Sequence, residues 1–194
     1  MAKALGDAAV EAGVGRLVFS SVDGAERNSG IPHFDSKYEA EQYLRQLPIG
    51  LTVVRPVFFM ENLPWLTAVE NGETVVRMAL PDGIPLQMVA VRDVGRVAAA
   101  ALLDPESVSG EAVGIAGVEL TGSAIAEVLG TAAGTPGRYE ALSLDTLDGQ
   151  ADSQAMFRWF GTLPAYQADF DATDALTGGA LDLAGWLADS GWKP

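Results

Sequence analysis

The chain has 194 residues, 48% of them apolar, which is enough for one domain of ordinary size with a core of its own. Its formal charge of −14, with twelve lysines and arginines scattered along the sequence, argues against a phosphate-backbone partner, and no apolar run approaches the roughly 20 residues of a membrane span. With no cysteine and one histidine, disulfides, thiolate catalysis, cysteine-held zinc and a multi-histidine metal centre are all excluded.

The opening stretch "MAKALGDAAVEAGVG" lacks the apolar core of a signal peptide, so a cytoplasmic protein is the expectation. Within it, Ala4, Leu5, Ala8, Ala9 and Ala12 recur at helical spacing, and Gly13 is placed to end the helix. "RLVFSSV" reads as a short buried strand. After the loop "DGAERNSGIP" a helix runs through Leu47 and is closed by Pro48. Ser36-x-x-Glu39 reads as a capping box, and a helix starting there would leave His33 outside it. "GLTVVRP" is the next buried strand, and "QMVAV" leads into the helix "RDVGRVAAAALLD", whose Val94, Val97, Ala98, Ala101 and Leu102 form one apolar face. "AVGIAG" is a strand, "LTGSAIAEVLGTAAG" a helix capped by Thr121, and "RYEAL" a strand. Such alternation implies parallel βαβ units, an α/β fold. In the last fifty residues "MFRWF", "AYQADF" and "LAGWLADSGW" hold three of the four tryptophans, consistent with a helical cap packed through aromatic rings.

Two catalytic signatures are missing. No glycine turn links a strand to a following helix: Gly130, Gly134 and Gly137 come after a helix, the wrong context for cradling a pyrophosphate. There is also no nucleophile elbow, so a serine hydrolase built on Ser20 or Ser123 with His33 has little support. What remains is His33-x-x-x-Lys37, just beyond the strand that ends in Ser20 and Ser21. On a helix, an i, i+4 separation puts both side chains on one face. The plain alternatives are a solvated Lys37–Glu41 pair, a helix-entry histidine with only Asp35 nearby, Phe58 and Phe59 as core at a strand end, and Asn62 as a cap ahead of Pro64. Asp93 reads as a first-turn residue favoured by the helix dipole, and Trp159, Trp186 and Trp192 as packing residues.

The segments "AAVEAGVGRLVFSSVDGA", "PHFDSKYEAEQYLRQLPIGLTVVRPVFFMENL", "VAVRDVGRVAAAALLDPESVSGEAVGIAG" and "MFRWF…LAGWLAD" resemble the NmrA-like family of atypical short-chain dehydrogenases, especially its NADPH-sensor branch. The resemblance implies the C-terminal part of a Rossmann-like parallel sheet with a smaller α+β or helical C-terminal subdomain. Residues 1–62 and 87–117 fall to the Rossmann-like part, and 63–86 and 118–194 to a substrate- or partner-binding subdomain. It implies NADP(H), or NAD(H), as cofactor and no metal. Lys37 matches the family's cofactor-contacting lysine, and Phe58, Phe59, Met60, Glu61 and Asn62 match the loop near the nicotinamide. His33 stands where the dehydrogenases carry tyrosine. The implied function is a redox-sensing regulator acting through a protein partner; the alternative is an NAD(P)H-dependent oxidoreductase in which His33 or Ser20 assists proton transfer. Family members carry a further upstream part with the glycine loop and first strands, so the chain reads as N-terminally truncated. Without a first-helix N-terminus to hold the pyrophosphate, the chain alone is expected to bind NADPH weakly or not at all. The strand "RLVFSSV" is expected to expose an edge that invites self-association.

Overall fold

A computed structural model describes residues 1–108, 110 and 112–194. In chain order its elements are α1 (Ala2–Glu11), β1 (Arg16–Ser20), α2 (Pro32–Leu44), β2 (Gly50–Pro56), β3 (Phe58–Phe59), α3 (Leu63–Leu66), β4 (Thr67–Glu70), β5 (Glu73–Met78), β6 (Leu86–Val89), α4 (Val91–Leu103), β7 (Ala112–Ile115), β8 (Val118–Leu120), α5 (Gly122–Ala133), β9 (Gly137–Ala141), α6 (Ala151–Phe160), α7 (Phe170–Thr177) and α8 (Leu183–Ser190).

Among the described residues the strands form three small sheets. β2 is central in the first, parallel to β1 from Arg16↔Gly50 to Ser20↔Val54 and to β7 from Val53↔Ala112 to Pro56↔Ile115. This is the parallel arrangement that helix-linked strands require. Among the described residues β1 pairs only with β2, so its other edge is open. Beside that edge lies a groove of about 540 Å³ walled by Leu5, Leu17, Phe19 and Leu44. In the second sheet β6 is parallel to β3 and antiparallel to β8. In the third, β5 is parallel to β9 and antiparallel to β4. The β4–β5 hairpin turns on Asn71 and Gly72, both at positive φ, as a two-residue turn matched to strand twist demands.

Local chemistry explains where the helices start. α5 begins as its sequence indicates, with the Thr121 hydroxyl accepting from the N–H of Ala124 at 3.3 Å. α2 does not begin at Ser36. It begins four residues earlier, with Ile31 as N-cap and Pro32 in the first turn, where the fixed φ of proline suits a helix and its missing N–H does no harm. Ser36 lies inside the helix and donates its hydroxyl back to the His33 carbonyl at 2.8 Å, so the expected capping box is not formed. α2 also ends at Leu44, and the residues up to Leu47 form a tight turn instead of a further helical turn. Asn62 makes no capping bond to α3. Along α4, Val97 and Ala101 are buried as expected, but Leu102 is half exposed. Asp93, in the first turn of α4, is wholly buried because its Oδ2 accepts from the N–H of Leu181 at 2.8 Å, tying the C-terminal segment to that helix.

One continuous core joins the sheets to the C-terminal helices. It runs through Ile31, Phe34, Val54, Met60, Met88, Ile115, Phe157, Phe160 and Trp186. The aromatic cap is tightly interlocked: Phe160 lies 5.2 Å from Tyr166, 5.6 Å from Phe157 and 6.1 Å from Phe58 between ring centroids.

Candidate functional site

A cleft of about 340 Å³ opens where β1 and β2 end, at the carboxyl side of the parallel strands where ligands of open α/β sheets bind. Its floor comes from the segment after β2 and its walls from α2 and the aromatic cap. His33 and Lys37 both line it, brought together by one turn of α2. Extending α2 back to Pro32 is what places His33 on that face.

Asp152, in the first turn of α6, meets His33 twice. Its Oδ1 accepts from the backbone N–H of His33 at 2.9 Å, and its Oδ2 lies 2.5 Å from Nδ1. The carboxylate therefore caps the N-terminus of α2, where helix N–H groups and the dipole favour negative charge. It also occupies one ring nitrogen, leaving Nε2 as the atom available to a ligand. The imidazole is steadied further by an edge-on contact with Phe34, 4.7 Å between centroids.

Lys37 donates from Nζ to the Ser20 carbonyl at 2.7 Å and sits over the Phe19 ring at 5.3 Å. Desolvation lowers its pKa from the ordinary lysine value. An ammonium has three donors, and those not used on Ser20 meet no acceptor among the described residues. Ser20 thus contributes its carbonyl to holding the lysine at the cleft edge.

The loop after β2 divides. Phe58, Phe59 and Asn62 line the cleft. Met60 is fully buried in the core, and Glu61 turns away from the cleft: its Oε1 accepts from the N–H of Val91 at 3.0 Å and from the indole of Trp186 at 3.1 Å. Residues absent from the expected site also line the cleft, among them Ser21, Phe34, Met156 and Tyr166, and Asp152 serves it through His33. Asp152 carries no local signal, because the two partners lie 119 residues apart.

Behind the cleft, a charge ladder fixes the walls. Glu41 is fully buried and accepts from Arg55 at 3.0 and 2.6 Å, with Arg45 at 3.1 Å. Burial pushes the Glu41 carboxyl up, but the Arg55 hydrogen bonds and charge outweigh it, and the net shift is downward. Arg55 also meets Glu26 at 2.9 Å. Nearby, Asp23 accepts from Arg27 at 2.9 Å and from the N–H of Gln167 at 2.8 Å, while Arg27 donates to the Ala165 carbonyl at 2.5 Å and covers the Trp159 ring at 5.3 Å. These contacts clamp the segment around Tyr166 against the loop after β1. Among the described residues no cluster of three or more histidines and carboxylates could hold a metal ion, and no helix is long and apolar enough to cross a membrane.

A family model described as NmrA-like family matches residues 1–186. A curated relative, an NAD(P)H azoreductase of Xenophilus azovorans, is 32% identical over 146 residues, 75% of this chain and 50% of the relative, so the chain spans about half that protein's length. Two solved structures share the fold. One is NmrA, a negative transcriptional regulator in complex with NADP (TM-score 0.75, 18% identity, 95% of this chain and 67% of the other). The other is an NADPH-dependent quinone oxidoreductase from Escherichia coli complexed with NADPH (TM-score 0.77, 22% identity, 98% and 71%).

Proposed function

Given that the chain belongs to the NmrA-like family, we propose that its cleft receives the nicotinamide end of NADP(H), or of NAD(H), and serves the reduction of a planar conjugated acceptor. The observation that carries this reading is the imidazole of His33, held by Asp152 in the same cleft as Lys37.

The residues fit one end of a dinucleotide. A volume of about 340 Å³ is at the small end of ligand sites, which span about 300–1,000 Å³, so the cleft accommodates a ring and its sugar and not the whole cofactor. Phe58, Phe59 and Met156 offer an apolar surface for a flat ring, and the free donors of Lys37 suit ribose hydroxyls. Residues 1–62 and 87–117 supply this cofactor side in the proposal, and 63–86 with 118–194 the acceptor side. When bound, the reduced nicotinamide supplies a hydride. His33 delivers the accompanying proton from Nε2, Asp152 holds the ring in orientation through Nδ1, and the half-exposed ring regains its proton from water. One hydride and one proton complete a two-electron reduction.

A second reading, a redox-responsive regulator, is favoured by Glu61. This residue adjoins Asn62 in the cleft and is bonded to both the start of α4 and Trp186 of α8, so occupancy of the cleft bears on the C-terminal helices that a protein partner would meet. The test is NADPH oxidation by the chain at high cofactor concentration with quinones and azo dyes. Wild-type turnover falling about 10²-fold or more in His33→Ala supports the reductase. Cofactor binding, weakened by Lys37→Met, with no turnover on any acceptor supports the regulator instead.

A further inference from the structure

β1 is an outer strand whose free edge, among the described residues, nothing guards. None of its residues is buried, whereas Thr52, Val53, Val54 and Pro56 of the adjacent β2 all are. The Ser21 N–H donates to the Val54 carbonyl at 2.7 Å and the Gly50 N–H to the Gly15 carbonyl at 3.2 Å, so the odd-numbered residues along β1 turn their backbone groups toward β2. Successive residues of a strand alternate in this respect, and the N–H and C=O groups of Arg16, Val18 and Ser20 therefore face outward. Of these, the Ser20 carbonyl accepts from Lys37, and the others meet no partner among the described residues.

Other outer strands carry the usual protection of charge or cover. β9 bears Arg138 and Glu140, bonded to each other at 3.3 Å, and β4 ends in Glu70, bonded to Arg77 at 2.7 Å. β7 is tied to α7 by the Thr173 hydroxyl, which accepts from the N–H of Ala116 at 3.0 Å. Along β1 the sequence does the opposite. The chain carries a net charge of −14, yet residues 12–22 contain no Asp, Glu or Pro. Leu17 and Phe19 wall the groove beside the edge together with Leu5, itself 62% exposed. Two copies that repel each other through their net charge meet no carboxylate of either strand here, only apolar side chains and unmet backbone groups.

We propose that β1 pairs with β1 of a second copy of this chain, antiparallel and centred on Val18, so that two three-stranded sheets become one six-stranded sheet across a two-fold axis. This does not rest on the reductase reading. The register follows from the outward groups, because a centre at Val18 engages all three residues that offer them. Val18 exchanges two hydrogen bonds with its own copy, and Arg16 does the same with Ser20, whose carbonyl has a second lone pair beside the one given to Lys37. Leu17 then lies opposite Phe19 of the second copy on the groove face, an apolar cross-strand pair. No like charges oppose each other: Arg16 meets a serine, and Lys37, over the Phe19 ring, lies on the other face of the sheet. The contact is self-complementary, as a two-fold requires, and it uses up the free edge of both copies, so assembly stops at the dimer.

The test is the mass of the chain in solution, read by sedimentation equilibrium over a wide concentration range. Wild type should rise from the mass of one chain to that of two and no further. Val18→Pro removes an N–H that β2 does not use, so the chain should stay folded by circular dichroism while the dimer weakens about tenfold or more. Val18→Cys supplies the only thiol of the chain, on the two-fold axis. Directly opposed residues of such a pair lie about 5.5 Å apart at Cα, within the span of a disulfide, so diamide should yield a covalent dimer on a non-reducing gel. Trp65→Cys, at a position 89% exposed on α3, should yield none under the same conditions. A wild-type chain that stays monomeric at every concentration overturns the proposal, and so does a mass that grows past two chains. A dimer that folded Val18→Pro leaves at full strength, or that Val18→Cys does not lock, places the contact on another face and overturns it as well. Should Val18→Pro unfold, the cross-link decides.

Discussion

Asp152 joins α6 to α2 through two contacts whose contributions differ in kind, and substitution separates them. Asp152→Ala removes the acceptor for the His33 N–H, a capping interaction of about 1 kcal/mol. It also removes the pairing with the ring, whose members are 43% and 45% exposed, so that pair contributes about 0–1 kcal/mol. The expected loss of stability is therefore about 1–2 kcal/mol, read as a lower urea midpoint with an unchanged slope. Asp152→Asn keeps a neutral acceptor for the cap and should lose less than about 1 kcal/mol. Turnover should respond differently. Neither variant orients the ring through a carboxylate at Nδ1, so quinone reduction under saturating NADPH should fall by about 10²-fold or more in both. Tryptophan-monitored unfolding and initial rates on the same samples give the two readings. Full turnover in Asp152→Asn, or unchanged stability in Asp152→Ala, would refute the roles assigned to this carboxylate.

Other expectations concern the frame around the site. Glu41→Ala leaves the Arg55 guanidinium with Glu26 as its remaining carboxylate and should cost about 3 kcal/mol, a large share of the roughly 5–15 kcal/mol of an ordinary domain, whereas Glu41→Leu with Arg55→Met should recover most of it. A urea midpoint indistinguishable from wild type in Glu41→Ala would contradict the buried ladder. The Tyr139 hydroxyl, pushed up to about 12 by burial and then by the Asp82 charge, titrates later in the folded chain than the ordinary phenol value near 10. Between those values the unfolded chain has lost a proton that the folded one retains, so stability should be fully present below pH 10 and decline as pH rises toward 12. Tyr139→Phe should flatten that decline in denaturation curves taken at a series of alkaline pH values.

Much of the frame was legible because periodicity and flanking chemistry agree: "RLVFSSV", "GLTVVRP" and "AVGIAG" became β1, β2 and β7, and Thr121 caps α5. The Asn-Gly turn between β4 and β5 is an equally local signal, but the hairpin it makes is not among the elements read from the sequence. The start of α2 was harder, since Ser36-x-x-Glu39 competes with Pro32 as a helix entrance, and what favours Pro32 is a cap delivered by Asp152 from a distant helix. The same distance hid the carboxylate partner of His33. In "FFMEN" the sequence marks a loop but not its rotation: a single 3₁₀ turn sends Met60 into the core and Glu61 toward α4 while Asn62 faces the cleft. Tyr166 read only as one more aromatic of the cap, because nothing in its neighbours along the chain says which of those rings reaches the cleft.

The link between α6 and the entrance of α2 also bears on when the molecule becomes competent. The unit of β1, α2 and β2 is assembled from neighbours in sequence and is free to take shape early during synthesis. Its imidazole stays without its carboxylate partner until residue 152 has emerged and docked, so completion of the pocket waits on a segment 119 residues downstream.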